Sequence, residues 1–243
     1  HATLISDNTA FGGVIMNYDV LLWDVDGTLL DFLAAEKAAV KSLFGEFGLG
    51  ECTDGMIARY SAINKRYWEA LERGELSKPV ILVRRFEDFF AEYGIDPAIA
   101  PQFNELYQVR LGDTVVFCDD SCELVRSLRG RVRQYAVSNG TVVAQERKLK
   151  NSGFDSLLDG VFLSEALGYE KPAREFFDAV FRAIGPADPE RTLIIGDSLT
   201  SDIAGGNAAG IKTCWYNPSS LPNHTGAKVD FELKNLQELV RIL

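Results

Sequence analysis

Apolar positions along this chain fall into two rhythms. Continuous apolar runs are the pattern of strands buried on both faces of a parallel sheet. Val20-Leu21-Leu22-Trp23, Gln134-Tyr135-Ala136-Val137, Gly160-Val161-Phe162-Leu163, Leu193-Ile194-Ile195 and Lys212-Thr213-Cys214-Trp215-Tyr216 are of this kind. Elsewhere the apolar residues recur at helical spacing. Ala, Val, Leu and Phe do so over about 33–47, and Ile57, Tyr60, Ile63, Tyr67, Trp68 and Leu71 do so over about 54–73. Ser77 then reads as an N-cap with Pro79 in the first turn of a helix carrying Phe86, Phe89, Phe90 and Tyr93 to Gly94. Asp96-Pro97 opens a fourth helix through Phe103, Leu106 and Tyr107 to about Gly112.

Strands and helices alternate after that. Asp120-Ser121-Cys122-Glu123 reads as a capping box for a helix to about Leu128. Further helices run from Thr141 to Ser152-Gly153 and from Lys171-Pro172 to Gly185-Pro186, and the tail from Phe231 reads as an amphipathic helix. Alternation of this kind predicts an α/β fold, a Rossmann-like parallel sheet with right-handed crossovers. The strand-free stretch interrupts that sheet just after its first strand. The expected division is a core domain of residues 16–31 and 113–243 with an all-helical cap domain of residues 32–112 inserted. Residues 1–15 read as an N-terminal extension or the remnant of a purification tag, with Met16 as the natural start.

Composition narrows the function classes. With 243 residues, 47% hydrophobic and 25% charged, the chain can bury a substantial core. A net charge of −10 argues against a nucleic-acid groove, which needs a basic face. No apolar run approaches the roughly 20 residues that cross a bilayer. Cys52, Cys118, Cys122 and Cys214 form no C-x-x-C pair, and read as reduced thiols of a cytoplasmic protein.

The most specific stretch is Val20–Leu30, where an apolar strand stops at Asp24 and Asp26 and Gly27 follows. A purely structural strand gains nothing from two buried acids, which need a compensating cation. Three other places carry polar residues at a strand end or helix start: Ser138-Asn139-Gly140, Lys171-Pro172 and Gly196-Asp197-Ser198. Taken singly, each reads as a turn, a surface dipeptide or a helix entry. The strand ends together form the edge at which open α/β sheets bind ligands.

In this order the set resembles the haloacid dehalogenase (HAD) superfamily, from about Tyr18 to Pro218. The matching motifs are Asp24-Val25-Asp26-Gly27-Thr28, Ser138-Asn139-Gly140, Lys171-Pro172 and Gly196-Asp197-Ser198-Leu199-Thr200-Ser201-Asp202. The insertion after the first motif resembles that family's C1-type helical cap. The resemblance implies a phosphate enzyme in which Asp24 is the nucleophile that forms an aspartyl-phosphate. Asp26 is implied as general acid and then base, its proton retained by crowding from Asp24 and Asp197. Ser138, Asn139 and Lys171 would hold the transferring oxygens, and Thr28 would join this phosphate site by orienting Asp26. Charge balance among Asp24, Asp26, Asp197, Asp202 and a phosphate dianion calls for a hard divalent cation, and Mg²⁺ is the usual phosphoryl partner. By resemblance its ligands are the Asp24 carboxylate, the Asp26 backbone carbonyl and the Asp197 carboxylate, with Asp202 supporting Lys171 or a metal-bound water. An acid at position 26 separates the chain from the dehalogenases of the family, which lack one there.

The run from Gly196 to Ile211 with Cys214-Trp215-Tyr216-Asn217-Pro218 resembles the bacterial pyrimidine 5′-nucleotidase branch. That implies a nucleoside 5′-monophosphate as the small-molecule partner. Phe32, where the cap joins, is the candidate for stacking on a base, because such stacking is worth about 1–3 kcal/mol. The other cap aromatics fit a packed core, and Arg59, Lys65, Arg66, Arg84 and Arg85 are cap cations that a ribose or phosphate could meet. A sugar-phosphate phosphatase or phosphomutase would share the core motifs. A phosphonate hydrolase would need a Schiff-base lysine such as Lys37, Lys41 or Lys65. A receiver domain would be shorter and lack the insertion.

Overall fold

Six parallel strands organise the computed structural model of the protein, which describes residues 16–243; the expected N-terminal extension, 1–15, lies outside the described residues. The strands are β1 (Val20–Trp23), β2 (Arg133–Ser138), β3 (Gly160–Leu163), β4 (Thr192–Gly196), β5 (Lys212–Tyr216) and β6 (Phe231–Leu233). They stand in the order β3-β2-β1-β4-β5-β6. The central strand β1 pairs with β2 on one side and β4 on the other, Trp23 facing Ala136 and Ile195. Alternate side chains divide between the two faces of the sheet. Leu21, Trp23, Leu193 and Ile195 join one buried cluster, while Val20, Leu22, Val137 and Ile194 join another. Burial on both faces is why these strands read as unbroken apolar runs.

Helices α1 (Phe32–Glu46), α2 (Asp54–Glu72), α3 (Lys78–Glu92) and α4 (Ala100–Leu111) follow β1. Side-chain caps start the first two: Asp31 accepts from the Ala34 amide at 3.0 Å, and Thr53 accepts from the Met56 amide at 3.2 Å; Ser77 stands at the N-cap of α3 without a side-chain cap bond, and Pro79 occupies its first turn. Asp96-Pro97 opens a single 3₁₀ turn, Pro97–Ile99, before α4. The four helices share a core of their own, built on Phe44, Tyr60, Phe86, Phe89, Phe90, Phe103 and Tyr107. Tyr60 stacks on Phe86 at 4.9 Å between centroids, and Phe103 tilts onto the same ring at 4.9 Å. These aromatics therefore pack against one another.

Around the sheet lie α5 (Ser121–Leu128), α6 (Val142–Ser152), the single turns α7 (Phe154–Leu157) and α8 (Ser164–Leu167), α9 (Arg174–Ile184) and α10 (Ala204–Ala209). Two local expectations are corrected. Asp120 does not cap α5, because its backbone is left-handed (φ 55°) and its carboxylate makes no cap bond. An N-cap needs an extended backbone to bring its side chain onto the first free amides. The tail from Phe231 is not an amphipathic helix. Phe231 and Leu233 alternate with exposed Glu232 and pair with β5 as the edge strand β6. Only Leu236–Arg241 coils, as a 3₁₀ helix whose buried Leu236 and Leu239 match its three-residue period.

Close packing between α10 and the sheet makes Gly206 a sensitive position. A Cβ there would lie 2.7 Å from Ile194 Cγ2 and 2.7 Å from Thr213 Cγ2, both on strands that cannot retreat. Gly→Ala in a helix interior otherwise gains up to about 1 kcal/mol. Overpacking costs about 1–3 kcal/mol and should win here. Gly206→Ala is expected to lower the thermal midpoint, and an unchanged or raised midpoint would contradict this packing.

Candidate active site

Between β1 and β4 the chain order reverses, the place at which open α/β sheets open a crevice beyond the strand ends. Asp24 follows β1, Ser138 ends β2 and Asp197 follows β4. Gly27 turns the chain out of β1 with φ +90°. A Cβ at that position would sit 2.6 Å from Asp197 Oδ2, so the glycine also lets the first loop close on Asp197.

Lys171 is the charge centre of the cluster and is 1% exposed. Its ammonium donates to Asp24 Oδ1 at 2.8 Å, to Asp202 Oδ1 at 2.6 Å and to the Val137 carbonyl at 2.8 Å. All three of its N–H donors are thereby used. Burial pulls the Lys171 pKa down, but Asp202 and Asp24 outweigh that and raise it above its ordinary value. Asn139 clamps the same residue through its backbone, donating to the Lys171 carbonyl at 2.8 Å and accepting from its amide at 2.8 Å. Ser138 accepts from the Gly140 amide at 3.0 Å and stabilises the turn.

Asp24 keeps one oxygen free: its Oδ2 is buried with no hydrogen-bond partner. Burial first, then the charge of Asp202, pushes this carboxyl up to about 7 against the lowering effect of Lys171. Asp197 stays open to solvent, yet the surrounding protein, followed by the charges of Asp24 and Asp202, lifts it well above the ordinary carboxylate value. Oxygens of Asp24, Asp197 and Asp202 all lie within 4.8 Å of one another. Both Asp202 oxygens are engaged, Oδ1 by Lys171 and Oδ2 by the Ser198 amide at 3.1 Å. Asp24 and Asp197 are left to face whatever enters.

Asp26 is held from an unexpected quarter. Lys148 pairs with its Oδ1 and the Gln145 amide donates to its Oδ2, both residues projecting from α6. Thr28, expected to orient Asp26, is instead fully buried and its hydroxyl makes no hydrogen bond. A cation, Lys148, thus stands against Asp26 in addition to the neighbouring acids. Gln145 and Lys148 stand three residues apart on α6, shortly after Ser138-Asn139-Gly140. On a helix as polar as VVAQERKLKNS, no local signal separates these two from solvated neighbours.

Phe32 lies at the start of α1, with the Lys148 ammonium 5.1 Å from its ring centroid, so one ring face is taken by a cation. Of the cap cations, Arg85 is 1% exposed and donates to Asn64 Oδ1 at 2.7 Å and Asn104 Oδ1 at 3.1 Å. Gln108 continues this chain, donating to Asn104 at 2.8 Å and accepting from the Thr141 hydroxyl at 2.8 Å. A buried polar relay therefore runs from the interior of the four helices to the loop that carries Asn139. Arg59 pairs with Glu92 and Arg66 with Asp88 on the surface.

Glu72, at the end of α2, accepts from the Thr200 hydroxyl in the loop after Asp197. Burial, reinforced by the charge of Asp202, pushes its carboxyl up to about 7 against the Thr200 hydrogen bond. The folded protein then holds a proton there, from about 4.5 up to about 7, that the unfolded chain has released. The stability from this group is present at low pH and lost as pH rises through 7. Glu72→Gln should be more stable than the parent at pH above that value, with the gap closing towards the acid side in thermal-unfolding profiles. Parallel profiles would contradict this.

Residues 18–210 match the model of the haloacid dehalogenase-like hydrolase family. The pyrimidine 5′-nucleotidase PynA of Streptococcus pneumoniae is 38% identical over 94% of this chain and 96% of its own length. The HAD-hydrolase YfnB of Bacillus subtilis is 38% identical over 93% and 95%. A crystal structure of YfnB, described as bound to magnesium and as revealing interdomain movement, superposes with a TM-score of 0.86 over 93% of this chain and 98% of that one. The pyrimidine 5′-nucleotidase YjjG of Escherichia coli is 25% identical over 94% and 99%. The order of Asp24, Asp26, Ser138, Lys171 and Asp197 along one edge of a parallel sheet thus coincides with kinship over nearly the whole chain, which belongs to the haloacid dehalogenase-like hydrolases.

Proposed function

We propose that this hydrolase is a Mg²⁺-dependent phosphomonoesterase that acts through an aspartyl-phosphate at Asp24, with nucleoside 5′-monophosphates, pyrimidine ones foremost, as its substrates. The observation that carries the chemistry is the Asp24 carboxylate itself. One oxygen is fixed by Lys171 while the other is buried without a partner. A carboxylate held this way has a lone pair free to attack in line. The nucleotide reading is supported by PynA and YjjG, both named pyrimidine 5′-nucleotidases.

The donor set fits a hard divalent cation. Asp24 and Asp197 offer carboxylate oxygens within 4.8 Å of one another, and the Asp24 carboxylate has an oxygen with no protein partner. The Asp24 and Asp197 carboxylates and the Asp26 backbone carbonyl would hold Mg²⁺, which supplies charge neutralisation to the phosphoryl oxygens.

The chain's own residues then divide the work. Asp24 Oδ attacks phosphorus, the bond from phosphorus to the leaving oxygen breaks, and Asp26 gives that oxygen a proton. Asp26 next takes a proton from water, which attacks the phosphorus of the aspartyl-phosphate and restores Asp24. Lys171, with every N–H engaged, offsets the negative charge of Asp24 and Asp202 and keeps the nucleophile oriented. Asn139 keeps Lys171 in place through its backbone. Helices α1–α4 cover this edge as the substrate-selecting cap.

The test is phosphate release across pyrimidine and purine 5′-monophosphates, deoxy forms and sugar phosphates. Release is expected to concentrate on pyrimidine monophosphates and to stop with EDTA. Asp24→Asn should abolish turnover while keeping a native circular-dichroism spectrum, with a lowered thermal midpoint because the buried Lys171 loses one of its two carboxylate partners. Preference for sugar phosphates would overturn the nucleotide reading, and an active Asp24→Asn variant would overturn the mechanism.

A further inference from the structure

Both oxygens of Asp26 are gripped from one helix. Gln145 is 1% exposed and Lys148 is 1% exposed, so neither is a solvated surface group. Asp26 itself keeps 23% of its side chain accessible. Two further contacts hold the grip. The Lys148 ammonium rests 5.1 Å from the centre of the Phe32 ring, which joins it to the first residue of α1. Gly140 leaves the space Gln145 occupies, since a Cβ at that position would lie 2.2 Å from Gln145 Nε2 and 2.8 Å from its Cδ. Burying a lysine and a glutamine costs free energy unless a specific contact offsets it. The structure gives each of them a strong contact with one atom of the same carboxyl group.

We infer that Gln145 and Lys148 are the positioning residues of the acid–base carboxyl group, holding Asp26 so that its accessible edge meets the leaving oxygen of the substrate. This deepens the phosphatase reading and rests on it. In the step concerned, the Asp26 proton moves to the departing alkoxide as the phosphorus–oxygen bond breaks and the Asp24–phosphorus bond forms. Neither Gln145 nor Lys148 touches the reacting atoms. Their effect is geometric, and a misplacement of about 1 Å can cost about 10²-fold in rate.

The leaving group provides a readout that a merely structural role would not move. A nucleoside 5′-monophosphate departs as an alkoxide that needs a proton, whereas an aryl phosphate such as p-nitrophenyl phosphate departs as a stable phenolate that does not. The value of kcat/KM reports the step that breaks this bond, before the aspartyl-phosphate is hydrolysed. Lys148→Met and Gln145→Leu should each lower kcat/KM for the nucleotide by about 10²-fold, while that for p-nitrophenyl phosphate falls only several-fold. The loss should lie in kcat rather than KM. Lys148→Arg should restore part of it, because it keeps the cation and reach. Gly140→Ala, which displaces the Gln145 amide without removing any charge, should reproduce the selective loss in a fold whose other contacts are intact. Equal losses on both substrates, or no loss on either, would overturn the assignment. A parent enzyme that releases phosphate from neither substrate with Mg²⁺ would overturn the phosphatase reading itself, and the assignment with it.

Discussion

The buried ammonium of Lys171 is the constraint on which the rest of the site depends. Asp24 and Asp202 converge at the end of the sheet, and two carboxylates in such a place cannot both stay ionised without a cation. Lys171 supplies it from the far side of the crevice, with its third N–H on the Val137 carbonyl of β2. The sheet therefore holds the lysine, and the lysine holds the acids. Removing one partner of a buried ion pair typically costs about 3–5 kcal/mol, far more than the pair itself contributes. The double backbone clamp from Asn139 is understandable in that light, since it anchors the loop that delivers Lys171.

That arrangement also divides the two acids that follow β1, Asp24 and Asp26, which are only two residues apart. Asp24 turns inward to Lys171 and is raised mainly by burial. Asp26 turns outward to α6 and keeps an accessible edge. Two neighbouring carboxyl groups with different surroundings are what acid–base and nucleophilic roles require. The helices that follow β1 are tied to the same place. Thr141 receives the end of their buried polar relay, Phe32 meets Lys148, and Glu72 reaches Thr200. Movement of those helices would be felt at the loops after β2 and β4.

Much of this was legible in the sequence for physical reasons. A strand buried on both faces must be continuously apolar, so β1, β2 and β4 announced themselves, and acids at the end of β1 stood out against them. Gly27 could be recognised because only a residue without a Cβ can turn at φ +90° beside Asp197. What stayed hidden were contacts between residues far apart in the chain. Gln145 and Lys148 lie on a helix whose overall pattern is amphipathic, and nothing local marks two of its polar residues as buried. The surroundings of Thr28 and the contacts of Asn139 with Lys171 were hidden for the same reason. Their partners are set by how loops from separate strands meet, which spacing alone does not encode. The tail reads as a helix on Leu236, Leu239 and Val240, whereas Phe231 and Leu233, two residues apart, share one face only in a strand, and the open edge of β5 receives them.

The central claim is that Asp24 forms the covalent phosphoryl bond. Rapid quenching of the enzyme during turnover, followed by borohydride reduction, converts an aspartyl-phosphate to homoserine, which mass spectrometry locates in the peptide sequence. The account predicts homoserine at position 24, dependent on substrate and absent in Asp24→Asn. Turnover that leaves Asp24 unmodified while another residue carries the label, or no label under conditions that trap acyl phosphates, would contradict it.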